Sequence, residues 1–538
     1  MIRGKVFLEL ARLLRDRRAL RGCCAALIAG LGLAFRGRKN SRRPEWDKAG
    51  PERGLDRSLK KRLDAPNQGN RTFLGLARRS KLRGGREVCL GEESRERHMQ
   101  IVGPTRSGKS QLLLALAAQD MRTGMPVFFM EAKGDESDFN QFRALAARAK
   151  RAGDIRYFNP QDPSSMSFNP IRRLPGQDAT ALANQISRVL GREPASSGEA
   201  QDYYKSADYA KIQNMAEVFW EINLQYTLKD CFYYFGFERC REKAFSLCSD
   251  KGLVKMSRRD FSQNTDTTAL TSAIRPYATG ALGRLLNTYS PQIKLDEIFS
   301  CRQLAYFAIP VGHLPVLANP LGRMLISGLN SVAAFRQRQN PKPGPASLIL
   351  DEFSEFATPA FKSFIQTVGS ARFWTTLSHQ DLGQLKNVQG MDKDGFASSV
   401  FNNTSGCKIC FRTPDPEDAE FWAQTLGTYP TCEDTERFQR TFLGTRGTGE
   451  ISRRQVEHFK VHPNALKNLG PGRALVFSPG HEDCLIRSAR VFNLLAKTPQ
   501  AEMPLKDIPA SREAGLELES EFNLLREKSA VNAQGVKA

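Results

Sequence analysis

The sequence has no clear transmembrane segment and no disulfide framework. The apolar stretch at residues 22–35 is fourteen residues long, whereas an α-helix needs about 20 residues to span a bilayer. No cleavable signal peptide is evident at the amino terminus. The 11 cysteines are scattered without the spacing of a disulfide scaffold. These absences indicate a protein of the reducing cytosol and argue against a secreted, disulfide-stapled domain.

The ligand sets of a transition-metal site are also missing. Cys407 and Cys410 form a single Cys-x-x-Cys pair inside an apolar run that is typical of a strand, and a structural zinc site needs four ligands. His458 and His462 could share one face of a helix, but no third ligand follows nearby. We interpret the cysteines as packing residues and the histidines as a surface pair.

Acidic residues are too few to balance the basic ones. The chain has 79 Lys and Arg against 57 Asp and Glu, which gives a net charge of +22. Residues 1–88 alone carry 24 Lys and Arg against 8 Asp and Glu. A chain this basic favours polyanionic partners, either nucleic acid or the acidic surface of a membrane. The alternative is that the charge serves solubility alone.

Residues 1–87 form a basic amino-terminal region. Residues 1–21 show a basic amphipathic pattern, and the apolar stretch 22–35 follows it. One interpretation is a segment that lies on a membrane surface with its arginines on the lipid headgroups. The equal alternative is a helix that packs on the protein body or on a partner. Residues 36–70 are charged and lack periodicity, as in a linker.

The strongest motif is a phosphate-binding loop, which fits G-x-x-x-x-G-K-[ST]. An apolar strand pattern precedes the loop and a helical pattern follows it, so the positive end of the helix would face the phosphates. Lys109 is expected to reach the β- and γ-phosphates of ATP, and the Ser110 hydroxyl to take one position on Mg²⁺. The residues expected to bind the nucleotide are Gly103, Pro104, Thr105, Arg106, Ser107, Gly108, Lys109 and Ser110.

Alternating helix and strand patterns around the loop predict an α/β fold with a parallel sheet. They occupy residues 88–175 and resume over residues 286–497. Residues 176–285 show a helical pattern without strand alternation. The sequence therefore predicts an α/β domain in two parts with an all-α domain inserted between them. Residues 498–538 are polar and helix-prone, and we expect a mobile tail.

An acidic pair completes the nucleotide site. The apolar run Ser347–Leu350 ends at Asp351 and Glu352, and a phosphate-binding loop needs such a pair on the neighbouring strand. Asp351 is expected to hold Mg²⁺ through water, and Glu352 to polarise the attacking water. Gln380 ends a further buried strand predicted beside the nucleotide strand. It is placed to sense the γ-phosphate, or it caps the helix that follows.

An ordered set of segments resembles the coupling ATPases of type IV secretion and conjugation, the TraD/TraG family. Besides the phosphate-binding loop and the helical insertion, the segments are Glu131-Ala132-Lys133-Gly134-Asp135, Ser167-Phe168-Asn169-Pro170, Leu350-Asp351-Glu352-Phe353 and Ser378-His379-Gln380-Asp381-Leu382-Gly383-Gln384-Leu385. The resemblance covers about residues 88–495. It implies a RecA-like P-loop NTPase motor domain with an inserted all-α domain, here preceded by a basic N-terminal extension.

The resemblance also implies a function. It predicts a homo-hexameric ring that hydrolyses ATP, with Mg²⁺ as cofactor, while it moves DNA through the inner membrane. The DNA would travel with its relaxase, so the expected partners are relaxosome proteins and components of the type IV secretion channel. The predicted location is the cytoplasmic face of the inner membrane. By motif match the resemblance supports the roles given above for Lys109, Ser110, Asp351, Glu352 and Gln380.

Two departures from the family pattern change these expectations. Family members usually carry two amino-terminal transmembrane helices, whereas this chain offers only residues 22–35, so we expect a peripheral, weakly anchored or cytoplasmic protein. The family also tends to place an arginine about eleven residues before the sensor glutamine, for insertion into the neighbouring subunit's site. Gly369 occupies that position here. We assign the role to the nearby Arg372, and Arg106 is the poorer candidate.

Three alternatives remain open at this stage. The same motor could serve as a coupling receptor for protein effectors. It could instead pump DNA as an ATPase of the FtsK/HerA kind. In the third alternative the protein is a nucleotide-dependent adaptor that docks a relaxosome and hydrolyses little ATP, although the presence of Asp351 and Glu352 argues against it.

Overall fold

The computed structural model describes residues 59, 62–63, 71–77, 86–174, 177–192, 200–263, 266–357, 359–386, 393–441, 444–479, 484–488 and 513–524. The chain divides into two units, Met1–Pro51 and Glu52–Ala538, and every described residue lies in the second. The predicted membrane-surface stretch at residues 22–35 therefore lies outside the described residues. Within the described part, no helix combines the length and the apolar character needed to cross a bilayer.

Thirteen strands are present in the described residues. They are β1 (Thr72–Ala77), β2 (Arg86–Leu90), β3 (Met99–Val102), β4 (Val127–Glu131), β5 (Ile155–Phe158), β6 (Leu304–Ala308), β7 (Ala346–Leu350), β8 (Phe373–His379), β9 (Cys407–Cys410), β10 (Thr428–Thr441), β11 (Gly444–Phe459), β12 (Arg473–Phe477) and β13 (Cys484–Ser488). Eleven of them form one sheet in the order β2-β1-β13-β12-β9-β3-β8-β7-β4-β6-β5. The strands from β9 to β5 in this order run parallel, and the other four pair antiparallel.

The parallel strands are buried on both faces, as β4 illustrates. All five of its residues are buried. Val127 and Phe129 belong to the core on one face of the sheet, and Phe128 and Met130 to the core on the other. Burial on both faces requires a continuous apolar run rather than an alternating one. This is why the apolar run predicted at Ser347–Leu350 matches β7 to within one residue.

Helices cover both faces of the sheet. The described helices are α1 (Glu92–Glu96), α2 (Lys109–Arg122), α3 (Glu136–Arg148), α4 (Ala179–Leu190), α5 (Ala200–Ile222), α6 (Leu228–Gly236), α7 (Glu238–Leu247), α8 (Lys251–Gln263), α9 (Thr268–Ala278), α10 (Gly280–Leu286), α11 (Leu295–Ser300), α12 (Pro315–Gln339), α13 (Pro359–Thr367), α14 (Leu382–Lys386), α15 (Lys393–Asn403), α16 (Pro416–Leu426) and α17 (Pro463–Lys467). α2 and α3 contribute to one core, and α12 and α13 to the other. The result is the helix–sheet–helix layering of the predicted α/β class.

The helices α4 to α11 form the all-α insertion. They follow one another between β5 and β6, and no strand occurs among the described residues between 159 and 303. Their apolar side chains, such as Ile186, Phe219 and Tyr234, belong to the same buried cluster as Phe128 of β4. The insertion is thus continuous with the core on one face of the sheet.

β10 and β11 form a separate antiparallel ribbon that the sequence did not predict. β10 has 14 residues, which at the usual strand rise corresponds to roughly 45 Å. His458 lies in β11, and its Nε2 is 3.0 Å from Oε1 of Glu433. His462 instead caps α17. The two histidines therefore do not share a helix face, and both are exposed, in agreement with their interpretation as surface residues.

Residues 513–524 pack against the all-α insertion, which differs from the mobile tail predicted from residue 498. The Leu516 N–H donates to the Gln225 carbonyl at 2.9 Å. The Leu518 side chain is fully buried, and its N–H donates to the Asp230 carboxylate at 3.1 Å. Phe522 stacks on Tyr233 at a centroid distance of 5.2 Å. We name residues 513–524 the C-terminal strap.

Opposite charges reinforce this contact. Three glutamates of the strap pair with basic side chains in and beside the all-α insertion. The ion pairs are Glu513 with Arg172 and Lys294, Glu519 with Lys229, and Glu521 with Arg239 and Lys243. The pair between Glu513 and Lys294 has an N–O distance of 3.0 Å, and both side chains are largely shielded from solvent. Charge pairing and apolar burial therefore both hold the strap against the rest of the protein.

The Leu518→Ala variant is expected to lower the free energy of unfolding by about 2–5 kcal/mol, the usual cost of truncating a buried leucine. Leu518 has no solvent exposure, whereas Leu524 at the end of the same segment is 44% exposed. The matched Leu524→Ala variant should therefore change stability little. Chemical denaturation of both variants tests this expectation, and equal stabilities would show that the strap does not stay docked in solution.

His98 is expected to make stability fall in mild acid. Burial lowers the pKa of His98 to about 4, below its ordinary 6.5. The imidazole therefore stays neutral in the folded protein between pH 6.5 and 4, while the unfolded chain takes up a proton. At pH 5 this difference costs about 2 kcal/mol relative to pH 7. Because His98 has a φ of +61°, asparagine is the most suitable replacement.

The test is chemical denaturation of the wild type and of His98→Asn at pH 7 and pH 5. The wild type should lose about 2 kcal/mol more than the variant over this interval. The His462→Asn variant is the matched control, because its imidazole lies at the surface. The same loss in the wild type and in His98→Asn would contradict the expectation.

Candidate nucleotide-binding site

The phosphate-binding loop joins β3 to α2 at the carboxyl edge of the parallel sheet. Gly103, its first residue, has a φ of +152°, and a Cβ added there would lie 2.6 Å from the Cβ of Phe411. The glycine is therefore required by packing against the end of β9 as well as by the approach of phosphate. Gly108 is the N-cap of α2. The first-turn N–H groups of α2 follow directly, as an anion site at a helix N-terminus requires.

The predicted catalytic groups meet at this edge. Ser110 Oγ donates to Oδ2 of Asp351 at 3.0 Å, and Lys109 Nζ lies 3.6 Å from Oε1 of Glu352. Lys109, Asp351 and Glu352 are all at most 4% exposed. Lys109 Nζ also donates to the carbonyl of Gly103. Two segments 241 residues apart in the chain thus form one compact site.

The strand order differs from the prediction in one respect. β3, which leads into the loop, and β7, which leads into Asp351, are not neighbours, because β8 lies between them. The expectation of an acidic pair on the strand next to β3 is therefore wrong. The groups still meet because all three strands are parallel and end at the same edge, with Val102 opposite His379 and Leu350 opposite Leu377. The side chains at this edge reach across β8.

Burial and pairing set the charge states of the site. Burial lowers the pKa of Lys109, although Glu352 and Asp351 oppose that shift. Burial raises the pKa of Glu352, and Lys109 opposes it. A carboxyl group whose pKa is raised towards neutrality is a better proton acceptor at physiological pH than an ordinary glutamate. The direction of this shift is the one expected of a general base, and that role of Glu352 stays a prediction.

Gln380 directly follows β8, which pairs with β3, the strand that leads into the phosphate-binding loop, as predicted. Its side chain lies near enough to Glu352 to oppose part of the rise in the pKa of that carboxyl group. Its N–H donates to Oε1 of Gln384 at 3.1 Å, so the residue also takes part in the turn before α14. The side chain that accepts from the first turn of α14 is that of Asp381, which takes the Gln384 N–H at 2.8 Å. The capping interpretation of Gln380 is therefore wrong, and its sensor role stays a prediction.

His379, the last residue of β8, connects that strand to the phosphate-binding loop. This contact was not predicted from the sequence. The His379 carbonyl accepts the N–H of Gly103 at 3.3 Å. Its Nδ1 lies 2.8 Å from the Asp381 carbonyl and its Nε2 lies 2.9 Å from Nε2 of Gln100. Burial lowers the pKa of His379 to about 4. A neutral ring satisfies both contacts, with Nδ1 as donor and Nε2 as acceptor.

Lys133 is a second side chain of the site whose position was not predicted from the sequence. Its Nζ lies 3.6 Å from Oδ2 of Asp351 and 3.8 Å from Oε1 of Glu352. Burial alone would lower the pKa of Lys133, but the carboxylates outweigh it and raise the pKa. The available signal was the Glu131-Ala132-Lys133-Gly134-Asp135 segment that ends β4, the strand next to β7.

The residues present fit a magnesium nucleotide. The Ser110 hydroxyl and the Asp351 carboxylate are oxygen donors of the kind that Mg²⁺ prefers. Ser107 Oγ, inside the loop, and Oε1 of Glu352 are buried without a hydrogen-bond partner; the Ser107 hydroxyl can donate to a phosphate oxygen, and Glu352 Oε1 can accept from a water. Lys109 and Lys133 would supply positive charge for the phosphates.

Arg372 lies away from this cluster. It precedes β8, so it stands at the amino edge of the parallel sheet, opposite the edge that carries the phosphate-binding loop. Its guanidinium pairs with Glu92 and with Glu96 of α1, the latter at 2.8 Å. A role in a neighbouring subunit's site therefore stays a prediction and would require these pairs to break. Arg106 is exposed within the loop.

Comparison with known proteins agrees with this architecture. Residues 345–470 match the family model described as the TraM recognition site of TraD and TraG. The type 4 coupling protein DotL of Legionella pneumophila subsp. pneumophila is 20% identical over 494 residues, covering 78% of this chain and 60% of DotL. The chain thus spans about 60% of the length of this curated relative.

Solved structures share the fold. The bacterial conjugative coupling protein TrwBdeltaN70 aligns with a TM-score of 0.54 at 15% identity, over 80% of this chain and 90% of that one. VirB4 of Thermoanaerobacter pseudethanolicus aligns with a TM-score of 0.50 at 14% identity, over 78% and 97%. One TrwB structure contains ADP and Mg²⁺. These matches confirm the predicted RecA-like fold with an all-α domain and the predicted resemblance to the type IV coupling ATPases.

Proposed function

We propose that this relative of the type IV coupling ATPases is an ATP-driven DNA translocase that delivers DNA, with its relaxase, to a type IV secretion or conjugation channel. One observation carries the proposal. Asp351 and Glu352 lie inside the region that matches the coupling-protein family model, and they meet Lys109 and Ser110 of the phosphate-binding loop. The region that matches the coupling-protein family model therefore contributes two of the side chains of the candidate nucleotide site.

The proposed chemistry follows from the positions of these side chains. Ser110 and Asp351 would hold Mg²⁺, which neutralises charge on the phosphates when bound. Lys109 binds the β- and γ-phosphates. Glu352 takes the proton of the attacking water, and Gln380, whose side chain lowers the pKa of Glu352, orients that carboxylate. Burial of Lys109, Asp351 and Glu352 strengthens each of these interactions because little water screens them.

Transport requires that hydrolysis change the contacts between subunits. We propose a homo-hexameric ring in which a cation of one subunit completes the site of the next, with Arg372 as the candidate. Basic side chains lining the ring would hold the phosphate backbone of DNA without reading its sequence. The net charge of +22, most of it in residues 1–88, supports a polyanionic cargo or an acidic membrane surface. The proposed location is the cytoplasmic face of the inner membrane.

The test is the ATPase rate measured against protein concentration and against single-stranded and double-stranded DNA. We expect DNA to stimulate turnover, and the specific activity to rise steeply with protein concentration as rings assemble. Turnover that naked DNA leaves unchanged would contradict a DNA cargo and favour a receptor for protein effectors. Stimulation by double-stranded DNA alone would favour a pump of the FtsK/HerA kind.

A further inference from the structure

Lys133 lies among the groups that hold and hydrolyse the nucleotide, but it is not part of the phosphate-binding loop. Its Nζ is 3.3 Å from Oγ of Ser110, in addition to the two carboxylate contacts described above. Its side chain is 37% exposed, whereas that of Lys109 is 4% exposed. Lys133 is therefore a cation at the mouth of the site, within reach of both the metal ligands and the water-activating glutamate.

A rigid turn holds the backbone of Lys133. The carboxylate of Glu131, at the end of β4, accepts the N–H groups of Lys133 at 2.7 Å and Gly134 at 2.9 Å. Gly134 has a φ of +69°, and a Cβ added there would lie 2.7 Å from the Cβ of Pro310. Ile309 donates its N–H to the Glu131 carbonyl at 2.9 Å. The turn is thus fixed from inside by a buried carboxylate and from outside by the segment that follows β6.

The charge balance of the site indicates a function for Lys133. Ser110 offers Asp351 only a neutral hydroxyl, and Lys109 pairs with Glu352, so Lys133 balances the charge of Asp351, a task that Mg²⁺ would take over when bound. Phosphoryl transfer spreads negative charge over the oxygens of the transferred group and needs a cation beyond the loop lysine. Arg372 stands at the opposite edge of the sheet and pairs with Glu92 and Glu96. Among the described residues of the same chain, Lys133 is the cation placed for this task.

We propose that Lys133 is a catalytic residue that contacts the terminal phosphoryl group of ATP within its own subunit. The proposal rests on the proposed ATPase function. It predicts that Lys133 distinguishes a nucleoside triphosphate from a diphosphate, because only the triphosphate carries the group that Lys133 contacts. It also predicts a measurable turnover without a neighbouring subunit's arginine.

The experiment compares the full-length wild type with Lys133→Ala, Lys133→Arg and the surface variant Lys255→Ala. The dissociation constants of Mg·ADP and of the Mg complex of the non-hydrolysable β,γ-imido analogue of ATP are measured, together with kcat and KM. Lys133→Ala should weaken binding of the analogue about tenfold, which corresponds to about 1.4 kcal/mol, and change ADP binding less than about twofold. Its kcat should fall about 100-fold, as on removal of one charge-stabilising donor.

The remaining outcomes decide between this role and a structural one. Lys133→Arg should restore most of the preference for the analogue, and Lys255→Ala should behave as the wild type, because Lys255 lies exposed on α8. If Lys133→Ala weakens ADP and analogue equally, Lys133 only shapes the site, and the proposal is wrong. Unchanged binding and unchanged kcat would also overturn it. A wild type that binds neither nucleotide would instead overturn the proposed function itself.

Discussion

Replacing Lys109 with alanine is expected to lower the rate of ATP turnover at least about 100-fold without unfolding the protein. Lys109 is the buried cation of the phosphate-binding loop, and its Nζ faces Glu352 at 3.6 Å. The variant removes the charge that meets the β- and γ-phosphates, so nucleotide binding should weaken together with turnover. The fold should persist because the buried Glu352 carboxylate, which loses Lys109, still has the Lys133 Nζ at 3.8 Å. The measurement is steady-state ATPase activity, with circular dichroism as the test of folding.

The same variant tests the transport proposal. If the motor moves DNA, Lys109→Ala should also abolish DNA transfer in a conjugation assay. The Lys255→Ala variant is the matched control, since it removes a lysine from an exposed position outside the site. Normal transfer by a folded Lys109→Ala protein would contradict the proposal that ATP hydrolysis at this site powers transport.

Local sequence patterns predicted the parts of the site, because those parts are determined by local chemistry. The phosphate-binding loop needs glycines and a lysine at fixed spacing, and the run that ends at Asp351 and Glu352 must be apolar because β7 is buried on both faces. The insertion of β8 between β3 and β7 could not be predicted in this way. Strand order depends on which buried surfaces pack together, and many orders are compatible with one series of apolar runs.

The same limit explains the residues that were missed. Lys133 belongs to a predicted motif, but its role depends on the distance of its Nζ from Asp351, and that distance exists only once β4 pairs with β7. The C-terminal strap is polar in sequence, yet Leu518 and Phe522 bury against α6 and its neighbours because complementary basic and aromatic side chains lie there. A polar segment stays a mobile tail only when no complementary surface of the same protein is available to bind it. Composition alone does not reveal whether such a surface exists.

The Glu352→Gln variant is expected to bind ATP but to hydrolyse it about 100- to 10,000-fold more slowly, as on removal of a general base. Glutamine keeps the size of the side chain, so Lys109 and Ser110 can still hold the phosphates. It cannot take a proton from water. Because burial raises the pKa of Glu352, the acid limb of the wild-type kcat profile should lie above the ordinary pKa of a glutamate, and the variant should lose that limb.

The matched control is Glu355→Gln, in the short 3₁₀ turn Phe353–Phe356 that follows Glu352 directly. Glu355 makes no ion pair with the lysines of the site among the described residues, so turnover in that variant should stay near that of the wild type. Affinity for the non-hydrolysable ATP analogue should be retained in both variants. A turnover rate that Glu352→Gln leaves unchanged would mean that water activation at this site does not limit the protein's activity. The adaptor alternative, with nucleotide binding but little hydrolysis, would then explain the observed geometry of Lys109, Asp351 and Glu352 better than a motor.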